Sequence, residues 1–193
     1  VMDVVQQVLC GKVNKGLVAT ISRTGSLCVG LCGIDGALFQ AKQLDPALGL
    51  VGKLTKVDPV LVQDALDAGY IPVIASVAQG TDQDTPYNVS ADTAASKLAV
   101  ALGAERLLLL TSQRGILAKP GDESSLIPEL QLSQVPALVK DGVISGEMVA
   151  RVNCCIEAVR SGVKSSTVLD GTIPHAILLE LLSDAGIGTM LKN

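Results

Sequence analysis

The chain has 193 residues, 48% of them hydrophobic, and carries a formal charge of −4 from 15 basic and 19 acidic side chains. That length is one large domain or two small lobes with ample material for a core, and no apolar run approaches the roughly 20 residues of a membrane span. Aromatic residues make up 2% and no basic run occurs, which excludes a nucleic-acid binder built on a cationic face and stacking platforms.

Residues 2–22 read as an amphipathic helix, because Val4, Val5, Val8, Leu9, Val13, Leu17 and Ile21 recur at steps of three and four. Gly25 ends it, residues 27–31 form a short strand of buried type, and Gly33-Ile34-Asp35-Gly36 is a turn. Strands over 37–42 and 51–57 flank a polar loop. Asp58 caps, and Pro59 opens, a helix that stops at Gly69. Residues 70–75 are a strand in which Pro72 marks a partly unpaired stretch, and 79–86 are a polar, hairpin-like loop.

Then comes a strand end that turns straight into a helix: Tyr87-Asn88-Val89-Ser90-Ala91-Asp92-Thr93-Ala94-Ala95. Ser90 is an N-cap whose hydroxyl can accept first-turn amide hydrogens, and the helix dipole favours a carboxylate at Asp92. Ala91, Ala94, Ala95, Leu98, Ala99, Ala101 and Leu102 make the helix nearly all apolar, hence buried, as far as Gly103. On local evidence Asp92 does no more than supplement the cap.

Residues 106–111 are a continuous apolar strand of the kind buried on both faces of a parallel sheet. Residues 112–117 are the loop at its carboxyl end, and 120–125 a surface excursion. Helices follow over 133–141 and 146–161, the latter with Met148, Val152, Cys155, Ile156 and Val159 on one face. A strand over 163–169, a helix over 174–182 and a strand over 189–191 complete the chain.

The alternation of strand and helix after residue 58 predicts a layered α/β sheet. Ligands bind off the carboxyl ends of such strands, which puts residues 111–117 and 87–95 near one crevice. The softest boundary lies at 100–105, giving lobes 1–103 and 104–193. Cys10, Cys28, Cys32, Cys154 and Cys155 lack zinc-ligand spacing in a chain with one histidine, so they read as free thiols of a reducing compartment and no metal site is expected. His175 reads as a structural residue of an apolar helix. Neither G-x-x-x-x-G-K-S/T, G-x-G-x-x-G nor G-x-S-x-G occurs, so pattern alone yields an α/β domain with a polar crevice.

Resemblance adds the rest. The segments Gly11-Lys12-Val13-Asn14-Lys15, Val29-Gly30-Leu31-Cys32-Gly33-Ile34-Asp35-Gly36, Gly69-Tyr70-Ile71-Pro72-Val73-Ile74-Ala75 and the Tyr87 to Ala95 stretch resemble those of the N-acetyl-L-glutamate kinases. So do Leu108-Leu109-Leu110-Thr111, Gly146-Glu147-Met148, Asn153-Cys154-Cys155, Pro174-His175-Ala176 and Gly186-Ile187-Gly188-Thr189-Met190. The Glu123-Ser124-Ser125-Leu126-Ile127-Pro128 and Ser183-Asp184-Ala185-Gly186 segments look most like cyanobacterial and plastid members.

The resemblance implies the amino acid kinase fold, a three-layer αβα sandwich with a mainly parallel central sheet. It implies ATP- and Mg2+-dependent phosphorylation of the side-chain carboxylate of N-acetyl-L-glutamate in arginine biosynthesis. Asn88 would hold acetylglutamate, and Asp92 would orient two cations flanking the transferring phosphoryl group, one of them aligned with Arg151. Ser112, Gln113, Arg114, Gly115, Ile116 and Leu117, with Val143, Ile144 and Ser145, would line the nucleotide site. Phosphoryl transfer of this kind needs positioning and cationic stabilisation.

It further implies a soluble dimer or hexamer in a plastid stroma or bacterial cytoplasm, with arginine as an inhibitor acting through residues 175–190 and a PII-type nitrogen sensor as a partner. The family's opening third, with its glycine-rich loops, a catalytic Lys and an Arg for acetylglutamate, has no counterpart here: neither K-x-G-G nor H-G-G-G occurs. The expectation is therefore an N-terminally truncated kinase that is inactive alone. Arg151 stands where the family has Lys, Ser90 where it usually has Asn, Ser112 where it has Asp, and Glu147 where it has Gly. Those four changes motivate an alternative, a catalytically impaired kinase-like regulatory or binding module.

Overall fold

In the computed structural model, which describes residues 1–82, 84–183 and 186–193, the opening amphipathic segment is one helical stretch interrupted by a π turn. Helix α1 (Met2–Gln6) runs into the wide turn Gln7–Val13 and on into α2 (Asn14–Ser22). Such a turn shifts the helix face, and the packing differs from the expected aliphatic stripe. Val4, Val8, Val13 and Leu17 are 41–59% exposed. The buried contact is polar: the Asn14 amide donates to Leu31 O at 3.0 Å and Val73 O at 2.8 Å, and Lys15 Nζ donates to Gly30 O at 2.8 Å. Glycine is required below it, since a Cβ at Gly30 would collide with the Asn14 side chain.

Next come β1 (Cys28–Cys32), β2 (Phe39–Gln43) and β3 (Gly52–Val57). Strand β2 starts two residues later than expected, because Asp35–Ala37 close a 3₁₀ turn with Gly36 at φ 58. Helix α3 (Val60–Asp67) follows, with Asp58 Oδ1 accepting from Val60 N at 3.4 Å. Then come β4 (Ile71–Ala75), β5 (Val77–Gly80), β6 (Pro86–Asn88) and α4 (Ala91–Ala101). The hairpin-like loop is real, since β5 and β6 pair antiparallel around it, although Gln83 lies outside the described residues. Strand β4 has β1 as its sheet partner, in parallel, with Pro72 opposite Val29; one free edge accommodates the missing proline N–H. A second sheet has the order β3-β2-β5-β6. The core gathers Leu38, Phe39, Ala41, Leu54, Val62, Ala78, Val89 and Ala94. Helix α4 fully buries only Ala94, Ser96 and Ala99, not its whole surface as expected.

The chain divides after Leu102 into two compact units. The second contains β7 (Arg106–Thr111), β8 (Glu129–Gln131), α5 (Val135–Lys140), α6 (Glu147–Arg160), β9 (Ser165–Asp170), α7 (Ala176–Leu182) and β10 (Thr189–Lys192). Its sheet order is β7-β9-β10-β8, with β7·β9 and β8·β10 parallel and β9·β10 antiparallel. Strand β7 lies at an edge of this sheet: Leu107 and Leu109 are buried while Leu110 is 49% exposed. The strand buried along its length is β9, where residues 165–169 are all buried.

On α6, Met148, Val152, Cys155, Ala158 and Val159 face the core. Helix α7 starts two residues later than expected. His175 takes a left-handed backbone (φ 61, ψ 23) ahead of it and is exposed, so it is not a residue of an apolar helix. None of the five cysteines is in a disulfide; Cys155 is buried and the others half-buried. Among the described residues no helix is long and apolar enough to cross a membrane.

Candidate functional site

In the first unit, Asn88 ends β6. It pairs with Val77 on β5, bridges to Val51, and donates its backbone N–H to Leu50 O at 2.9 Å. Ser90 occupies the N-cap of α4, but its hydroxyl makes no capping bond. Its carbonyl accepts from Ala94 N at 2.9 Å instead, which corrects the expected side-chain cap. Asp92 sits in the first turn, half-buried, where its charge complements the helix dipole.

In the second unit a cavity of about 520 Å³ opens off the carboxyl ends of the parallel pair β7 and β9, where Thr111 lies beside Asp170. Its wall includes Ser112, Gln113, Arg114, Gly115, Ile116 and Leu117 from the loop after β7, and Val143, Ser145 and Met148 from the entry to α6. Ile144, expected beside them, is 1% exposed and faces the core rather than the cavity. Pro120, Gly121, Glu123, Asp170 and Ile173 complete the wall. None of these is named as a site residue from the sequence, where 120–125 reads as a surface excursion. For Asp170 the available signal was its place at the carboxyl end of a strand.

The loop is fixed from both sides. Thr111 Oγ1 accepts from Gln113 N at 2.9 Å and donates to Gln113 O at 2.9 Å. Behind it, the fully buried Thr189 of β10 accepts from Ile116 N at 2.8 Å through Oγ1 and donates to Ile127 O at 2.7 Å. Gly115, at φ 145, has no room for a side chain: a Cβ would lie 2.6 Å from Thr189 Oγ1. At the mouth, Arg114 Nη1 and Glu123 Oε2 pair at 3.5 Å. Asp170 Oδ1 accepts from the Thr172 hydroxyl at 2.7 Å and from its amide at 2.8 Å. These bonds hold the Asp170 carboxyl below the usual carboxylate range.

Arg151 lies one turn beyond Met148, outside the cavity wall, and pairs with Glu147 at 3.6 Å. Asn88 and Asp92 belong to the first unit and Arg151 to the second.

A second cavity of about 490 Å³ in this unit is lined by Arg106, Pro128, Glu129, Glu180, Leu181, Ser183, Gly186, Gly188 and Met190. Glu180 is 5% exposed, and its Oε2 accepts from Ile187 N at 2.8 Å and Gly188 N at 3.2 Å. Sequence reasoning missed it; the signal was one acidic residue inside an apolar helix. Asp184 and Ala185, part of the Ser183 to Gly186 segment, lie outside the described residues. Among the described residues no group of three or more His, Cys, Asp and Glu could hold a metal.

A mixed α/β fold with a polar cavity beyond parallel strand ends is the arrangement of nucleotide-using α/β enzymes. The chain belongs to the amino acid kinase family, whose model matches residues 1–170. Among its relatives, the acetylglutamate kinase of Clostridium beijerinckii is 50% identical over 98% of this chain and 67% of that protein. The acetylglutamate kinase of Synechococcus sp. is 49% identical over 98% of this chain and 64% of that protein. The chain thus spans about two thirds of the length of these relatives, and clostridial and cyanobacterial sequences are nearly equally similar to it. Of solved structures, smu.665 from Streptococcus mutans superposes with a TM-score of 0.82 at 26% identity, over 99% of this chain and 71% of that one. An isopentenyl phosphate kinase shares the fold at a TM-score of 0.67 and 20% identity, over 94% of this chain and 66% of that one.

Proposed function

We propose that this chain is an acetylglutamate kinase sequence, acting in arginine biosynthesis by transferring a phosphoryl group from ATP, as its Mg2+ complex, to the side-chain carboxylate of N-acetyl-L-glutamate. The observation that supports this most is the 50% identity over 98% of the chain to an acetylglutamate kinase. The cavity off β7 and β9 is of a size suited to a nucleotide.

In this reading residues 104–193 form the nucleotide lobe, with Ser112 to Leu117, Val143 and Ser145 against the nucleotide. Ile144 supports that wall from the core. Residues 1–103 belong to the amino-acid lobe, with Asn88 as a ligand of acetylglutamate. Asp92 is an anion that orients cationic groups of the transfer site, and Arg151 a cation for the transferring phosphoryl group. Arginine forks where lysine presents a point charge, so Arg151 favours two phosphoryl oxygens over one.

Arginine inhibits by entering the second cavity, where the buried Glu180 carboxylate meets its guanidinium. The protein is a soluble homo-oligomer, dimer or hexamer, of a bacterial cytoplasm or plastid stroma, and a PII-type nitrogen sensor is its protein partner.

The test is ADP release by the protein expressed from its complete reading frame. Release should depend on N-acetyl-L-glutamate and be absent with L-glutamate. ADP formation indifferent to acetylglutamate would refute the assignment. The 193-residue chain by itself is expected to be inactive, as it has neither K-x-G-G nor H-G-G-G.

A further inference from the structure

We propose that Arg114 is the phosphate-binding cation of the nucleotide cavity, and that Glu123, on the strap over residues 118–125, holds it in reserve until a nucleotide takes its place. This deepens the nucleotide reading and rests on it.

Arg114 is the one cationic side chain among the described residues lining the cavity, and the other charged groups there, Glu123 and Asp170, are carboxylates. A polyphosphate entering that space meets two anions and one cation. The guanidinium is the group that can offset the repulsion, and its planar fork matches a pair of phosphate oxygens.

Arg114 Nη1 and Glu123 Oε2 are 3.5 Å apart, at the long end of contact, and their side chains are 43% and 77% exposed. An exposed pair of this kind contributes little, so a phosphate with several charged oxygens displaces the single carboxylate. Both residues already line the cavity, so the exchange needs side-chain rotation and no change of fold.

The strap keeps Glu123 near the cavity. Its neck is closed by the antiparallel bridge between Leu117 and Leu126 and by Ala118 N donating to Ser125 O at 2.9 Å. Its tip is a 3₁₀ turn, Glu123–Ser125, capped by Asp122 accepting from Ser124 N at 3.0 Å. A closed neck keeps Glu123 within reach of Arg114, so the carboxylate acts as a local competitor for the cation. The pairing sets a threshold: weakly charged nucleotides leave it in place and polyphosphates open it.

The test is equilibrium titration of the full-length protein and its variants with ATP, ADP, AMP and adenosine, with thermal melts to verify folding. Arg114→Ala should weaken ATP by about tenfold and leave adenosine unchanged, and Arg114→Lys should recover part of the loss. Glu123→Gln should tighten ATP by about threefold, and should add nothing in an Arg114→Ala background. Equal weakening of ATP and adenosine by Arg114→Ala would make Arg114 a prop of the loop and overturn the proposal. So would weaker ATP binding in Glu123→Gln. A wild-type protein that binds neither ATP nor adenosine would sink the nucleotide reading itself, an outcome distinct from normal ATP binding indifferent to both substitutions.

Discussion

Replacing Thr189 with valine tests whether the nucleotide loop is held from behind. Thr189 is fully buried, and its hydroxyl links Ile116 N at 2.8 Å to Ile127 O at 2.7 Å. Valine fills nearly the same volume, so no cavity opens and the cost is polar. Each buried backbone group left without its partner costs about 1–3 kcal/mol. Exchanging the hydroxyl for a methyl returns about 1 kcal/mol. The net loss is about 3 kcal/mol, which for a chain of this size lowers the melting temperature by roughly 6–12 °C. Thr189→Ser keeps both bonds and gives up one methyl, about 1 kcal/mol. Urea unfolding and calorimetry of wild type, Thr189→Val and Thr189→Ser should therefore rank them wild type, Ser, Val. A valine variant as stable as wild type, or more stable than serine, would refute the claim that the hydroxyl and not the packing holds the loop.

Three further outcomes are expected. Asn14→Asp keeps the shape of Asn14 but removes the amide that donates to Leu31 O and Val73 O. Urea unfolding should show the free energy of the first unit lowered at least as much as by Asn14→Ala, about 2–3 kcal/mol; an aspartate variant as stable as wild type would contradict the bridging role. Glu180→Gln keeps an acceptor for Ile187 N and Gly188 N but removes the charge. It should abolish the arginine-induced rise in melting temperature while the unliganded protein melts as before, and a retained rise would show that arginine binds elsewhere. Asp170 titrates below the ordinary carboxylate because Thr172 donates to it. Its contribution is therefore present above the unfolded value of about 4 and lost as pH falls through the lower folded value. Melting curves should show a gap between wild type and Asp170→Asn that is constant from about pH 5 to 8 and closes below; a gap widening in acid would reverse the sign and refute the argument.

The elements readable in the sequence are those whose local chemistry and tertiary environment agree. Gly69 and Gly103, at φ 81 and 61, end α3 and α4 where the pattern puts the stops. The loop after β7 was readable because an apolar run ended in polar residues. Two short strands were not: Val77–Gly80 and Glu129–Gln131 span three or four residues of mixed polarity, too few for a period-2 signal, whereas the end of Pro86–Asn88 was readable at Tyr87-Asn88 because a helix cap follows it. The first helix misled for another reason. Its aliphatic stripe is genuine, but the π turn makes Asn14 and Lys15 the residues that grip β1 and β4. Helix α7 inverts the hydrophobic rule, burying Ala176 and Glu180 while Leu182 is 80% exposed. No amphipathic pattern points to Glu180, because its burial depends on backbone N–H groups seven and eight residues later.

The cavity in the second unit therefore has a rear and a mouth that obey different physics. At the rear, Gly115 at φ 145 and the buried hydroxyl of Thr189 are locked together by contacts that leave no space for a side chain. Substitution there alters stability, and alters binding only because the loop moves. At the mouth, Arg114 and Glu123 are exposed and joined by one long ion pair. Removing either charge costs little folding energy and acts on the charge of the ligand. The two regions separate by measurement. Gly115→Ala should lower melting temperature and weaken ATP and adenosine together. Arg114→Ala should leave the melt near wild type and weaken ATP alone. If both variants weakened both ligands in step with their melting temperatures, the mouth would be structural too, and the electrostatic account of nucleotide capture would fail.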